Sequence, residues 1–309
     1  MVPLTESGWL WAGFVIFVIC MLLLDLVVFN KKAHEIKMKE ALLLSLFWIS
    51  LAVAFNLGVW KFLGTQKAME FLTAYLIEES LSIDNLFVFI LIFTYFQVRP
   101  EYQHKILFWG IIGAMVMRAI FIVTGVALIH RFEWIIYIFG GFLVITGIRM
   151  MFDKGKQIEP EKNPVIRLAR KLIPITPVTH GSRLFVRINH KTLATPLFIT
   201  LIMIEVTDLI FAVDSIPAVL AISSDPFIVY TSNVFAILGL RSLYFALASI
   251  IKYFRFLKYG LAAILFFVGS KMIISSFYKL PIGAALGTVF SILMLSVILS
   301  VLIPQRKIT

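Results

Sequence analysis

The chain alternates between long apolar runs and short polar breaks. Apolar runs occupy about residues 8–29, 40–60, 69–95, 105–129, 133–151, 193–222, 227–251, 257–278 and 281–303. Each is long enough, at 1.5 Å per residue, to cross roughly 30 Å of hydrocarbon as a helix. The pattern predicts an all-α polytopic membrane protein with nine spans. Between the fifth and sixth lies a polar stretch, 152–192. There Val165, Ile166, Leu168, Leu172 and Ile173 alternate with Arg167, Arg170 and Lys171, which predicts a short helix on the membrane surface. Pro174 and Pro177 would end it. The alternation over Arg183–Asn189 predicts a short strand or hairpin. Glu6 precedes the first run and no Lys or Arg does, so that run reads as a span and not as a signal peptide.

Composition agrees: 61% of residues are hydrophobic and 15% charged, against about a quarter charged in a soluble domain. The net charge of +11 becomes informative once it is mapped. With the N-terminus outside, 21 Lys and Arg fall on inside segments and four (Lys61, Lys67, Arg131, Lys279) outside. That bias predicts a cytoplasmic C-terminus in a cell (inner) membrane. The basic excess is therefore topogenic and a contact for anionic lipid, not a nucleic-acid footprint. The single cysteine, Cys20, excludes an internal disulfide and a multi-cysteine metal site.

The sequence repeats internally. Glu78-Glu79-Ser80-Leu81-Ser82-Ile83-Asp84-Asn85 in span three is paralleled by Asp208-Leu209-Ile210-Phe211-Ala212-Val213-Asp214-Ser215 in span six. Arg118 parallels Arg241 in the following spans, and Gly147 parallels Gly269 in the ones after. Three spans make one unit, so the second copy would enter from the opposite side, an inverted repeat of the kind found in secondary transporters. This organisation divides the chain into two N-terminal spans (1–68), repeat 1 (69–151), a basic cytoplasmic connector (152–192), repeat 2 (193–279) and a last span with a short tail (280–309).

Seven carboxylates fall within spans: Asp25, Glu78, Glu79, Asp84, Glu205, Asp208 and Asp214. At about 2.5–3 kcal/mol each on insertion scales, they would cost on the order of 20 kcal/mol unpaired. Only Arg118 and Arg241 lie deep enough to compensate. Protons, water or a bound cation must account for the remaining charge. Glu78 and Asp84, like Asp208 and Asp214, are six apart and so 240° apart around a helix, which predicts local unwinding or a partner from the other repeat. Pro217 would supply a break in span six. An oxygen-only site suits Mn²⁺, Ca²⁺ or Mg²⁺, and all five histidines map to loops or span ends. Arg118 and Arg241 are candidate countercharges; Asp25 and Glu79 are accessory acids. Gly283 and Gly287 form a GxxxG packing motif, and Trp9, Trp11, Trp60 and Trp134 suit an interfacial belt.

The two acidic stretches, with Glu205-Val206-Thr207-Asp208 and Ala212-Val213-Asp214-Ser215-Ile216-Pro217-Ala218, resemble those of the TerC/Alx family of bacterial integral membrane proteins. Leu24-Asp25-Leu26, His34 and Glu40-Ala41 are similar to the family's N-terminal region. The resemblance covers about residues 10–280. It implies a place in the LysE-type transporter superfamily and a link to tellurium resistance or manganese export. Carried over by position, it implicates Glu78, Asp84, Asn85, Glu205, Asp208, Asp214 and Ser215 as metal ligands. The expected function is efflux of a divalent cation, most suitably Mn²⁺, by alternating access and with protons as counter-substrate. The cation is cargo, and no prosthetic group is expected. The alternative is a non-transporting scaffold in a tellurium or metal stress-resistance complex. No enzymatic motif is present; a homo-oligomer or a membrane partner is left open.

Overall fold

The computed structural model describes residues 4–24, 38–132, 134–152, 174–176, 181–188, 191–250, 256–275, 277 and 280–302. Asp25 and the expected surface helix at 165–173 lie outside them, as do the side chains of Asp84 and Asp214. Nine helices occur among the described residues: α1 (Leu4–Leu24), α2 (Met38–Leu63), α3 (Thr65–Tyr95), α4 (Pro100–Arg131), α5 (Ile135–Phe152), α6 (Pro196–Leu220), α7 (Pro226–Ile250), α8 (Leu257–Ile274) and α9 (Ile282–Leu302). They coincide with the nine apolar runs. Six of them (α2, α4, α5, α6, α7 and α9) contain segments long and apolar enough to cross a membrane. In α3 the apolar character is interrupted by Glu70, Glu78, Glu79 and Asp84. The expected hairpin is present as β1 (Phe185–Ile188) and β2 (Lys191–Ala194), paired antiparallel.

Pro100 and Pro196 open α4 and α6 at positions where the missing N–H costs nothing. α3 and α6 are continuous over 31 and 25 residues, which corrects the expectation of broken acidic helices. Pro217 falls in the last turn of α6 and disturbs only its end. Glu78 and Asp208 meet at Arg118 from these unbroken helices.

Helix directions follow from the contacts. Glu70 near the start of α3 bonds Ser223 just beyond α6, so these two run antiparallel. The N-terminal part of α4 meets the hairpin region, Lys105 Nζ donating to the Ser182 carbonyl at 2.7 Å. The molecule thus has a connector end, carrying the hairpin, and a loop end, carrying residues 221–225. α3 packs chiefly on α7, α6 on α4, and α5 on α8. At the α5–α8 seam the backbones nearly touch. A Cβ on Gly269 would lie 2.6 Å from the Gly140 carbonyl oxygen, and one on Gly147 would lie 2.7 Å from that of Ala262. These two pairs exchange under the correspondence that equates Gly147 with Gly269.

Of the GxxxG pair, Gly283 comes near Met69 of α3, with 4.0 Å from a built Cβ to the sulfur, whereas Gly287 faces no described neighbour. A Cβ on Gly287 would meet nothing within 4 Å, and α9 docks on α8 through Ser296 against Gly260. Trp9, Trp60 and Trp134 are exposed at loop-end helix termini, as a belt requires. Trp11 instead packs on Phe227 of α7, with ring centroids 5.4 Å apart.

Candidate metal-transport site

Halfway along the bundle a single guanidinium joins four helices. Arg118 of α4 is 1% exposed. Its Nη1 donates to Glu78 Oε2 of α3 and, at 3.0 Å, to Asn233 Oδ1 of α7. Its Nη2 and Nε donate to the two oxygens of Asp208 of α6, at 3.3 and 3.5 Å. The fork geometry of guanidinium suits this two-point grip on a carboxylate. Glu78 and Asp208, equivalent in the internal repeat, therefore meet from opposite halves on one positive charge. Two carboxylates with one guanidinium leave the group formally short of positive charge.

Around this centre several buried polar atoms have no hydrogen-bond partner among the described residues. They are Glu78 Oε1, Glu79 Oε2, Ser82 Oγ, Asn85 Nδ2, Glu205 Oε2, Ser215 Oγ and Asn233 Nδ2. Leaving such groups bare costs free energy that water, a proton or an ion would recover. Glu205, one helical turn before Asp208, lies against α4 at Gly113, where a Cβ would come within 2.1 Å of its Oε1. A larger side chain at 113 would have to displace that carboxylate. Glu79 lies beside Gly239 of α7, where a Cβ would come 3.8 Å from its Oε1. Arg241 is buried on α7, 5% exposed.

The structure thus brings Glu78, Asp208 and Arg118 into contact and places Asn85 on α3 with Glu78, and Glu205 and Ser215 on α6 with Asp208. Among the described residues, no three carboxylate, imidazole or thiol side chains converge on one point. Where the sequence predicts a cage around a cation, two of the described acids, Glu78 and Asp208, meet on the Arg118 guanidinium. The reason is electrostatic: two buried carboxylates need a positive partner nearby.

A narrow cavity, with room for about one water molecule, runs from this centre toward the connector end. Phe89, Leu107, Ile204 and Leu240 line it, and Asp208 is its one polar side chain. Asn233 went unnoticed in the sequence, although the triplet Thr231-Ser232-Asn233 interrupts an apolar span and marks it. Glu70, near the start of α3, is 7% exposed and bonded to Ser223, Lys67 and Gln66.

Comparison with known proteins agrees with the acidic motifs. A protein of Myxococcus xanthus named "Uncharacterized membrane protein STKORF319" is 50% identical over 97% of this chain and 94% of its own. The "Putative membrane-bound redox modulator Alx" of Escherichia coli (strain K12) is 44% identical over 96% of this chain and 95% of its own. An "Uncharacterized membrane protein" of Rickettsia bellii is 40% identical over 94% and 97% respectively. No solved structure matches at a significant level. Residues 63–308 match the integral membrane protein TerC family. With that match across most of its length, and relatives alike from end to end, the chain belongs to the TerC family of integral membrane proteins.

Proposed function

We propose that this protein exports a divalent cation, by preference Mn²⁺, by alternating access at the Arg118-centred acidic cluster. The observation that carries the reading is the shared guanidinium: carboxylates from both halves of the repeat lie buried around one positive charge. Such a group holds negative side chains together when no cation is present and can yield them to one. Glu78, Asp208 and Glu205 supply hard oxygen ligands, with Asn85 and Ser215 as neutral donors. Asp84 and Asp214 join the set through the internal repeat. Arg118 is the tethered countercharge, and Arg241 the same in the second half. Crowded carboxylates titrate jointly, so a proton can replace the departing ion.

The basic bias assigns the connector end to the cytoplasm, the termini to opposite sides and the protein to the inner membrane of a bacterial cell. The cavity below Asp208 is then the cytoplasmic approach. Its apolar walls concentrate the field of the one carboxylate at its end. The antiparallel course of α3 and α6 and the exchange of contacts at the α5–α8 seam support the inverted repeat on which alternating access depends. The name given to the Escherichia coli relative speaks of redox modulation. A chain with one cysteine has no internal dithiol couple, so here a redox effect would follow from metal balance.

Purified protein in proteoliposomes, offered Mn²⁺, Ca²⁺ and Mg²⁺ in turn, tests the proposal. Mn²⁺ flux is expected in the wild type and is lost in Asp208→Asn and Glu78→Gln. Absence of flux for all three ions, or flux untouched by both substitutions, rejects it and leaves the scaffold reading. Flux indifferent to an imposed pH gradient at fixed voltage rejects proton coupling alone.

A further inference from the structure

The two ends of the bundle are closed by different chemistry. At the loop end, Glu70 Oε2 accepts from Ser223 Oγ at 2.6 Å and from Lys67 Nζ at 3.1 Å, while Gln66 Nε2 bonds Oε1 at 3.2 Å. Lys67 Nζ also pairs with Asp225 at 3.0 Å. Lys271 of α8 adds a bond to the Ala221 carbonyl at 3.2 Å. Burial works against the Lys67 charge, yet Asp225 and Glu70 outweigh it and hold its pKa above the ordinary lysine value. This network ties the first turns of α3, in repeat 1, to the α6–α7 turn, in repeat 2.

Extending the repeat register that equates Glu78 with Asp208 places Leu197 at the counterpart of Lys67 and Thr200 at that of Glu70. Both are buried, and Thr200 Oγ1 only bonds back to the Pro196 carbonyl of its own helix. Among the described residues, apolar packing dominates the connector end, with Phe93 against Tyr244 at 5.4 Å and Leu197 in the same cluster, and the neutral hydrogen bond from Tyr244 Oη to Gln103 Oε1 at 2.9 Å links the halves there. The Arg99–Glu101 ion pair at that end is local and exposed. The ionic network of the loop end is thus not copied at the positions the repeat register makes equivalent.

We propose that Lys67, Glu70, Ser223 and Asp225 form a one-sided latch that holds the loop end shut and must part before the midplane acids can face that side. Its role in flux rests on the transporter reading; the closure itself can be measured with no metal present. The latch ties two elements in the closed state. Weakening it therefore shifts the population toward the loop-open form.

The test uses Thr73, fully buried one turn inside Glu70 on α3. In a Cys20→Ser background carrying Thr73→Cys, a membrane-impermeant methanethiosulfonate is added from either side of oriented vesicles. Loss of a charged hydrogen bond is worth a decade or more in equilibrium, so Glu70→Gln is expected to raise loop-side labelling about tenfold. Asp225→Asn, whose carboxylate is partly solvated, is expected to raise it about threefold. Labelling from the connector side does not rise in either. Unchanged loop-side labelling, or an equal rise from both sides, overturns the latch. If Glu70→Gln fails to assemble, Asp225→Asn, altering a turn residue, decides alone. One-sided unlatching in a protein whose wild type moves no divalent cation would keep the latch and discard the metal reading; the converse result would discard the latch only.

Discussion

Arg118→Met is the most informative single substitution. Methionine fits an apolar span but supplies no positive charge, so Glu78, 0% exposed, and Asp208, 4% exposed, lose their shared partner. The guanidinium makes one hydrogen bond to Glu78, two to Asp208 and one to Asn233. Removing one side of a buried ion pair costs about 3–5 kcal/mol, because the charges left behind have neither water nor a counterion. For a chain of this size that lowers the unfolding midpoint by roughly 5–8 °C. The assay is thermal loss of the monodisperse detergent-solubilised protein. Adding Glu78→Gln and Asp208→Asn to Arg118→Met removes the stranded charges, and most of the loss should return. Mn²⁺ supplies an independent check. If the guanidinium stands where cargo binds, Mn²⁺ at a hundred times its Kd should add about 2.7 kcal/mol to Arg118→Met. The wild type should gain less, since its own arginine competes. A variant that melts like the wild type, or a triple variant weaker than the single one, would refute the electrostatic account.

Three further outcomes are expected. Gly113→Ala drives a methyl to 2.1 Å from Glu205 Oε1 and should cost about 1–3 kcal/mol in thermal shift, a loss that Glu205→Ala in the same chain relieves. Gly269→Ala presses a Cβ to 2.6 Å from the Gly140 carbonyl and cannot be absorbed by a side-chain rotation. It should destabilise by a similar amount, whereas Gly287→Ala, open on all sides, should gain up to about 1 kcal/mol from helix propensity. Green fluorescent protein fused after Thr309 should fluoresce in intact cells, and a periplasmic alkaline phosphatase fused there should be inactive; the opposite pair of results reverses the assigned orientation.

The helices were legible because each must satisfy its own backbone in lipid, so length and apolarity are enough to find them. The hairpin was legible from the alternation at 183–189. The acids were legible as a cost, since a carboxylate inside an apolar run is expensive wherever it points. What one-dimensional reading could not supply was direction. Six-residue spacing said that Glu78 and Asp84 face apart, and unwinding was one way to reunite them. The helix stays regular, and Arg118 reaches across from α4 to join Glu78 to Asp208 of α6 instead. Asn233 and Glu70 were missed for the same reason: nothing in their local pattern reveals a partner on another helix, 115 residues from Arg118 in one case and 153 from Ser223 in the other.

The contacts also carry an argument about symmetry. Exchanging residues by the internal match turns the Gly140–Gly269 approach into the Ala262–Gly147 approach, and turns the α3–α7 packing into the α6–α4 packing. Only an antiparallel α5–α8 seam and a pair of oppositely directed first helices can satisfy both exchanges at once. Side-chain chemistry departs from that symmetry at two places. Arg118 holds an acid from each half, so the centre is occupied from the first copy. Lys67 and Glu70 have only Leu197 and Thr200 as counterparts. A perfectly symmetric pair of halves would populate its two faces equally and impose no resting orientation. The charged hydrogen bonds that tie the start of α3 to the α6–α7 turn are one such departure, and the latch proposed above would use it to bias the protein toward a closed loop end.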